Sequence, residues 1–198
     1  MMMSRFLALF LITTSALFMP PQIAAQIPDA KALHPLEIHM KHWIAGSGQW
    51  RSPNPDYNPE AEPKTPGWIK EFGVNWKWAP NRHHMIGEIV AITAEGEVFS
   101  SSIMYAFYNP VTEKVIDVQV GRNGTLAFGE DRVRDQSTPY GEPEVGSGLE
   151  YFPDGTISIL RHSNVFVDEN TQLSDVFQRD ENGEWEKKRQ WRWTRLPN

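Results

Sequence analysis

Hydrophobic and polar residues alternate with a period of two through residues 71–108, EFGVNWKWAPNRHHMIGEIVAITAEGEVFSSSIMYAFY. Phe72, Val74, Trp76 and Trp78 fall on one face, and Glu71, Gly73, Asn75 and Lys77 on the other, as a half-buried pleated strand requires. Ala79-Pro80-Asn81-Arg82 breaks the run, because proline fixes φ and cannot donate to a ladder. Residues 83–93 resume with β-branched and apolar side chains, Ala94-Glu95-Gly96-Glu97 turns the chain, and 98–108 continues with Val98, Phe99, Ile103, Tyr105 and Phe107. The pattern predicts three antiparallel strands in a meander.

The same rhythm continues toward the C-terminus. Ile116, Val118 and Val120 alternate with Asp117 and Gln119 in 114–120, and Gly121-Arg122-Asn123-Gly124 leads into 125–134. After a Pro- and Gly-rich loop at 135–147, strands are expected at 148–152, 156–166, 171–179 and 185–194. With one more at Trp50 the count is about ten. The fold class expected is all-β, an antiparallel up-and-down barrel of about 8–10 strands, because closure removes exposed edges. One helical signal precedes the sheet at 33–44: Pro35 suits a first turn, and Leu36, Met40, Trp43 and Ile44 recur at spacings of three and four. It stops before Gly46-Ser47-Gly48. Residues 52–67 hold five prolines and read as a long irregular loop, a surface segment or a lid in which Tyr57 is the aromatic.

Residues 1–25 have the form of a secretory signal peptide. Arg5 is the lone charge, Phe6 to Phe18 form an apolar stretch too short to span a membrane, and Ile23-Ala24-Ala25 offers a small residue for cleavage. Removal after Ala25 would leave 173 residues and, with Arg5 gone, move the formal charge from -6 to -7. Residues 26–198 suit one domain, able to bury about 70% of its unfolded surface. With no cysteine in the chain, an exported protein must hold together by packing and ladder hydrogen bonds. Mild acidity without a basic cluster excludes nucleic acid as partner. The periplasm or the exterior is the expected location, and the sequence leaves the oligomeric state open.

The run His42-Trp43-Ile44-Ala45-Gly46-Ser47-Gly48-Gln49-Trp50 resembles the entry segment of calycin-type barrels, in which a short helix leads into Gly-x-Trp on the first strand. Asn75-Trp76-Lys77-Trp78, Tyr108 to Lys114 and Gly121-Arg122-Asn123-Gly124, in that order, resemble lipocalin-like exported bacterial proteins of the DUF1579 kind. The likeness covers most of residues 36–196. It implies structural roles for Gly48 and Trp50, and a C-terminal arginine, Arg192 or Arg195, packed over the Trp50 ring.

Chemistry is less legible. There is no Gly-x-Ser-x-Gly elbow, no cysteine nucleophile and no phosphate loop after a parallel strand. His39 and His42, with Glu37 nearby, and the His83-His84 pair are the metal candidates; adjacent histidines on a strand face opposite ways, so no metal site is assigned. No cofactor is implied, and residues 185–198 carry no histidine to serve as a haem ligand. The polar candidates are His84 and Glu88, four apart on one strand face with Ile86, Val90 and Ile92, partnered by Arg161, His162 or Asp175 from later strands. The other reading of that strand turns Met85, Ile89 and Ala91 inward and puts His84 and Glu88 in solvent. Trp76 and Trp78 either line a cavity or fill the core.

Two function classes follow, with a third beside them. The first is an exported barrel binding a small apolar or amphipathic molecule through Trp76, Trp78, His84, Glu88, Arg161 and His162. The second is an isomerase or hydrolase using His84 and Glu88. The third is an interaction module with a filled barrel.

Overall fold

The computed structural model describes residues 34–63, 65–134 and 138–198; the expected leader lies outside them. Helix α1 spans Pro35–Ile44. His34 caps it, its Nδ1 accepting from the Leu36 N–H at 3.2 Å, and Pro35 occupies the first turn, where a missing N–H costs nothing. Ten strands follow: β1 Gln49–Pro53, β2 Ile69–Trp78, β3 His84–Thr93, β4 Val98–Asn109, β5 Lys114–Gly121, β6 Leu126–Arg132, β7 Glu144–Tyr151, β8 Ile157–Asp168, β9 Thr171–Arg179 and β10 Trp185–Arg195. Each pairs antiparallel with the next, and β1 also pairs β10, so the sheet closes into an up-and-down barrel. The expected fold class is the observed one. No helix among the described residues is long and apolar enough to cross a membrane.

Most boundaries fall within two residues of the sequence expectation, and two features differ more. A single 3-10 turn, Pro66–Trp68, ends the long loop, and β7 begins at Glu144 rather than 148. Glu144-Val145-Gly146-Ser147 has weak strand propensity, but its register with Ser163, His162 and Arg161 supplies the ladder that propensity does not.

Helix α1 closes one end of the barrel. Leu36 and Met40 pack with Trp50, Val74, Trp76, Met85, Ala106, Val115 and Phe166 in one buried cluster, with Trp43 against its edge. Trp50 is fully buried, and its Nε1 donates to the Trp43 carbonyl at 2.9 Å. Of the two arginines proposed to cover it, Arg195 does so: its guanidinium lies 4.7 Å from the ring centroid and Nη2 donates to the His42 carbonyl at 2.7 Å. Gly48 enters the barrel at φ +65, a left-handed conformation, and its carbonyl accepts from the Trp76 N–H at 3.1 Å. A side chain at Gly48 would be strained and would press on the Trp76 carbonyl at 3.2 Å.

Candidate functional site

The barrel interior is not filled. A cavity of about 690 Å³ runs between α1 and the open end, within the range of small-molecule sites. Its walls differ in chemistry. Phe72, Val74 and Trp76 from β2, Ile89 from β3, Met104 from β4, Trp191 and Trp193 from β10, and Met40 and Trp43 from α1 make an apolar, largely aromatic side. Trp76 fits because β3 has Gly87 beneath it, where a Cβ would come within 2.9 Å of the indole. On the other side β5 to β9 present Asp117, Gln119, Asp131, Glu144, Glu150, His162, Asn164, Ser174 and Gln178. At the mouth Asn54, Asp56 and Pro66 of the 54–68 segment reach the cavity, and Asp56 Oδ2 pairs with Arg189 Nη2 of β10 at 2.7 Å.

Asp131 and His162 are the centre of the polar wall. His162 Nε2 stands 3.1 Å from Asp131 Oδ1 and 3.3 Å from Oδ2. Burial alone would lower the imidazole, but the hydrogen bond and charge of Asp131 outweigh it, so His162 titrates above its ordinary value. Burial likewise opposes ionisation of Asp131, and the His162 bond and charge overcome it and hold the carboxylate below its usual range. Asp117, in contrast, is pushed up to about 8, first by burial and then by the neighbouring Asp131 charge. Near neutrality the site therefore pairs an ionised Asp131 with a protonated Asp117, and the Asp131 contact favours the charged form of His162.

Glu144 and His39 extend the cluster toward the helix. Glu144 is raised to about 7, chiefly by burial. His39 is lowered to about 4, also by burial, and its Nδ1 accepts from the Arg134 backbone N–H at 3.3 Å. The His39 Nδ1 to Glu144 Oε1 approach of 3.3 Å is thus no ion pair at neutral pH, and Glu144 Oε1 lacks a hydrogen-bond partner among the described residues. Farther along, Asn164 Oδ1 accepts from Gln172 Nε2 at 3.0 Å and from Ser174 Oγ, while Gln119 Nε2 donates to Ser102 Oγ at 3.0 Å. Among the described residues no group of three or more His, Asp or Glu side chains is placed to hold a metal ion.

Of the six residues expected to touch a ligand, Trp76 and His162 line the cavity. The other four do not. On β3 the inward positions are Met85, Ile89 and Ala91, with Met85 and Ala91 fully buried, so the intervening His84 and Glu88 face outward by strand alternation. His84 stacks on Phe107 of β4 at 5.0 Å, and Glu88 is exposed beside Asn75 and Ile103. Arg161 is exposed on the outer face of β8, between Ser147 and Phe177. Trp78 sits outside the cavity, edge-on to His34 at 6.2 Å and under the Arg82 guanidinium at 5.0 Å. Asp175 is also external, tied to Lys187 Nζ and Gln190 Nε2 at 2.7 Å each.

Asp117, Asp131 and Glu144 were not singled out from sequence. The available signal was a charge in the middle of an alternating strand, Ile116-Asp117-Val118, together with Gly129, Gly146 and Gly148 on the strands opposite. Compared with known proteins, no family model and no curated sequence matches the chain. The likeness to lipocalin-type proteins therefore rests on the closed barrel with its single short helix, and nothing supports the DUF1579 kind in particular.

Proposed function

We propose that the protein is an exported binding protein that takes one small amphipathic molecule into the barrel. One observation carries this reading: a cavity of about 690 Å³ with an aromatic wall facing a polar one. The apolar body of the ligand lies against Phe72, Trp76, Trp191 and Trp193, and burial of a drug-sized apolar surface supplies most of the affinity. Its polar head meets Asp131, His162 and Asp117. This wall offers both donors and acceptors, with the ionised Asp131 beside the protonated Asp117, which suits a neutral or weakly basic head and disfavours an anionic one. The 54–68 segment, tethered by the Asp56–Arg189 pair, acts as the lid. Export rests on the leader pattern in residues 1–25, and N-terminal sequencing of the exported protein should begin at Gln26.

Native mass spectrometry of the protein purified from its own envelope tests binding. A discrete mass above that of the chain, released on unfolding, supports it; a bare chain from freshly prepared envelope counts against it.

A second reading is favoured by one feature, the presence of a protonated Asp117 beside an ionised Asp131. Carboxyls with divergent titration are what acid–base catalysis uses. In this form the enzyme reading relies on Asp117, Asp131 and His162 rather than on the outward-facing His84 and Glu88. Turnover of a retained ligand would favour it over storage or transport.

A further inference from the structure

The outer surface of β4 to β8 carries a run of apolar side chains. The register aligns these positions into ranks. Tyr105, Val118, Phe128, Leu149 and Ile159 are successive cross-strand partners. So are Ile103, Val120, Leu126, Tyr151 and Ile157 in the neighbouring rank. Neither rank contains a charge. Seven of these ten side chains are exposed by 37–57%, and Phe107 and Val145, 37% and 47% exposed, widen the patch. Elsewhere the exterior is ordinary: β2 turns Glu71, Asn75 and Lys77 outward, and β9 and β10 carry Asp175 and Lys187. The apolar surface thus covers one side of the barrel and is not a belt around it, so it does not suit a barrel spanning a bilayer.

We propose that this face is the interface of a symmetric dimer formed with a second copy of the chain. The exposed apolar area of the patch is on the order of 800 Å², above the roughly 300–600 Å² of the largest patch on an ordinary monomer and close to what each partner brings to a standard-size interface. A two-fold dimer uses the same surface twice, which requires a patch that does not repel itself. This one meets that condition. Its ranks are uncharged, and the next rank toward the helix end, Ile116, Glu130, Ser147 and Arg161, carries one charge of each sign. An anionic membrane would call for clustered Lys and Arg, which the patch lacks. Because the barrel is closed, no strand edge is free to pair, and association must proceed through side chains. Phe128 and Leu149, directly paired on the central strands, form the middle of the contact.

Sedimentation velocity of the purified protein at tens of micromolar tests the proposal. The unsubstituted chain should sediment as a dimer. Phe128→Glu should weaken association at least about 100-fold, because a charge is then desolvated at the centre, and Lys77→Glu on the opposite side should leave the dimer intact. Ile157→Asp, at the most exposed position of the ranks, repeats the test without touching the centre. Far-UV circular dichroism should match in all four proteins. A monomeric unsubstituted chain, a dimer that survives both Phe128→Glu and Ile157→Asp, or a monomer that co-sediments with phosphatidylcholine vesicles would each overturn the assignment. None of these outcomes depends on the cavity being occupied.

Discussion

His162 Nε2 donates to Asp131 across the bare face of Gly146, where a Cβ would lie 1.8 Å from Asp131 Oδ1 and 2.4 Å from His162 Nε2. The pair exists because β7 has no side chain at that point. Gly146→Ala must separate the two groups or move the strand, and with the Asp131 bond lost, less remains to offset the burial that lowers the imidazole. The His162 titration followed by NMR should therefore fall. An unchanged titration in a folded variant would show that the pair tolerates a Cβ.

Stability should decline as pH rises from 6.5 to 8. Folded Asp117 keeps its proton up to about 8 and Glu144 up to about 7, whereas both release it near pH 4 when unfolded, so deprotonation favours the unfolded chain. His162, raised in the fold, contributes stability that is complete below its unfolded value and is lost as pH climbs through the folded one. His39, neutral down to about 4, acts oppositely, but only below pH 6.5. Asp131, lowered in the fold, matters only in acid. Urea titrations should give a loss on the order of 1–2 kcal/mol across the window, and Asp117→Asn should flatten most of it. Stability that is flat or rises over this interval would refute the protonated Asp117.

Trp50 and Arg195 hold the closed end. Trp50→Ala should cost roughly 3–5 kcal/mol, as for other fully buried large aromatics. Arg195→Lys keeps the charge but loses the flat guanidinium over the indole, and should cost about 1 kcal/mol. A Trp50→Ala change below about 1 kcal/mol in denaturant titration would deny the residue its keystone role.

The lid tether is weak by construction. Arg189 and Asp56 are each nearly half exposed, and exposed pairs contribute about 0–1 kcal/mol. Arg189→Ala should speed release of a bound probe in stopped-flow by no more than about fivefold. A much larger effect would mean that Arg189 itself holds the ligand.

The meander, its turns, the lone helix and the barrel were legible because a period of two marks strands wherever it occurs. The period does not say which face is inside. Along Ile116-Asp117-Val118 the apolar residues point out and the acid points in, the reverse of a core strand. A cavity with a partly polar lining permits this arrangement; a packed interior would forbid it. The His84–Glu88 pair failed for the same reason, since its apolar neighbours Ile86 and Val90 are also external. Glu144 was hidden in a Gly- and Pro-rich stretch whose strand character comes from its neighbours. The choice between Arg192 and Arg195 was open to parity all along: Trp191 and Trp193 face inward, and Arg195 continues their series.

The most direct test of the account is titration with an amphipathic fluorescent probe, read by quenching of tryptophan emission, in the unsubstituted chain and in Ala127→Phe. Ala127 lies on the inner face of β6 and lines the cavity, so a phenyl ring there occupies the space a ligand needs. Saturable binding at a single site is expected, weakened at least about tenfold by Ala127→Phe, with the fold retained. Absent binding would contradict a ligand cavity, and so would equal binding to both proteins, which would place the probe on the outer apolar face.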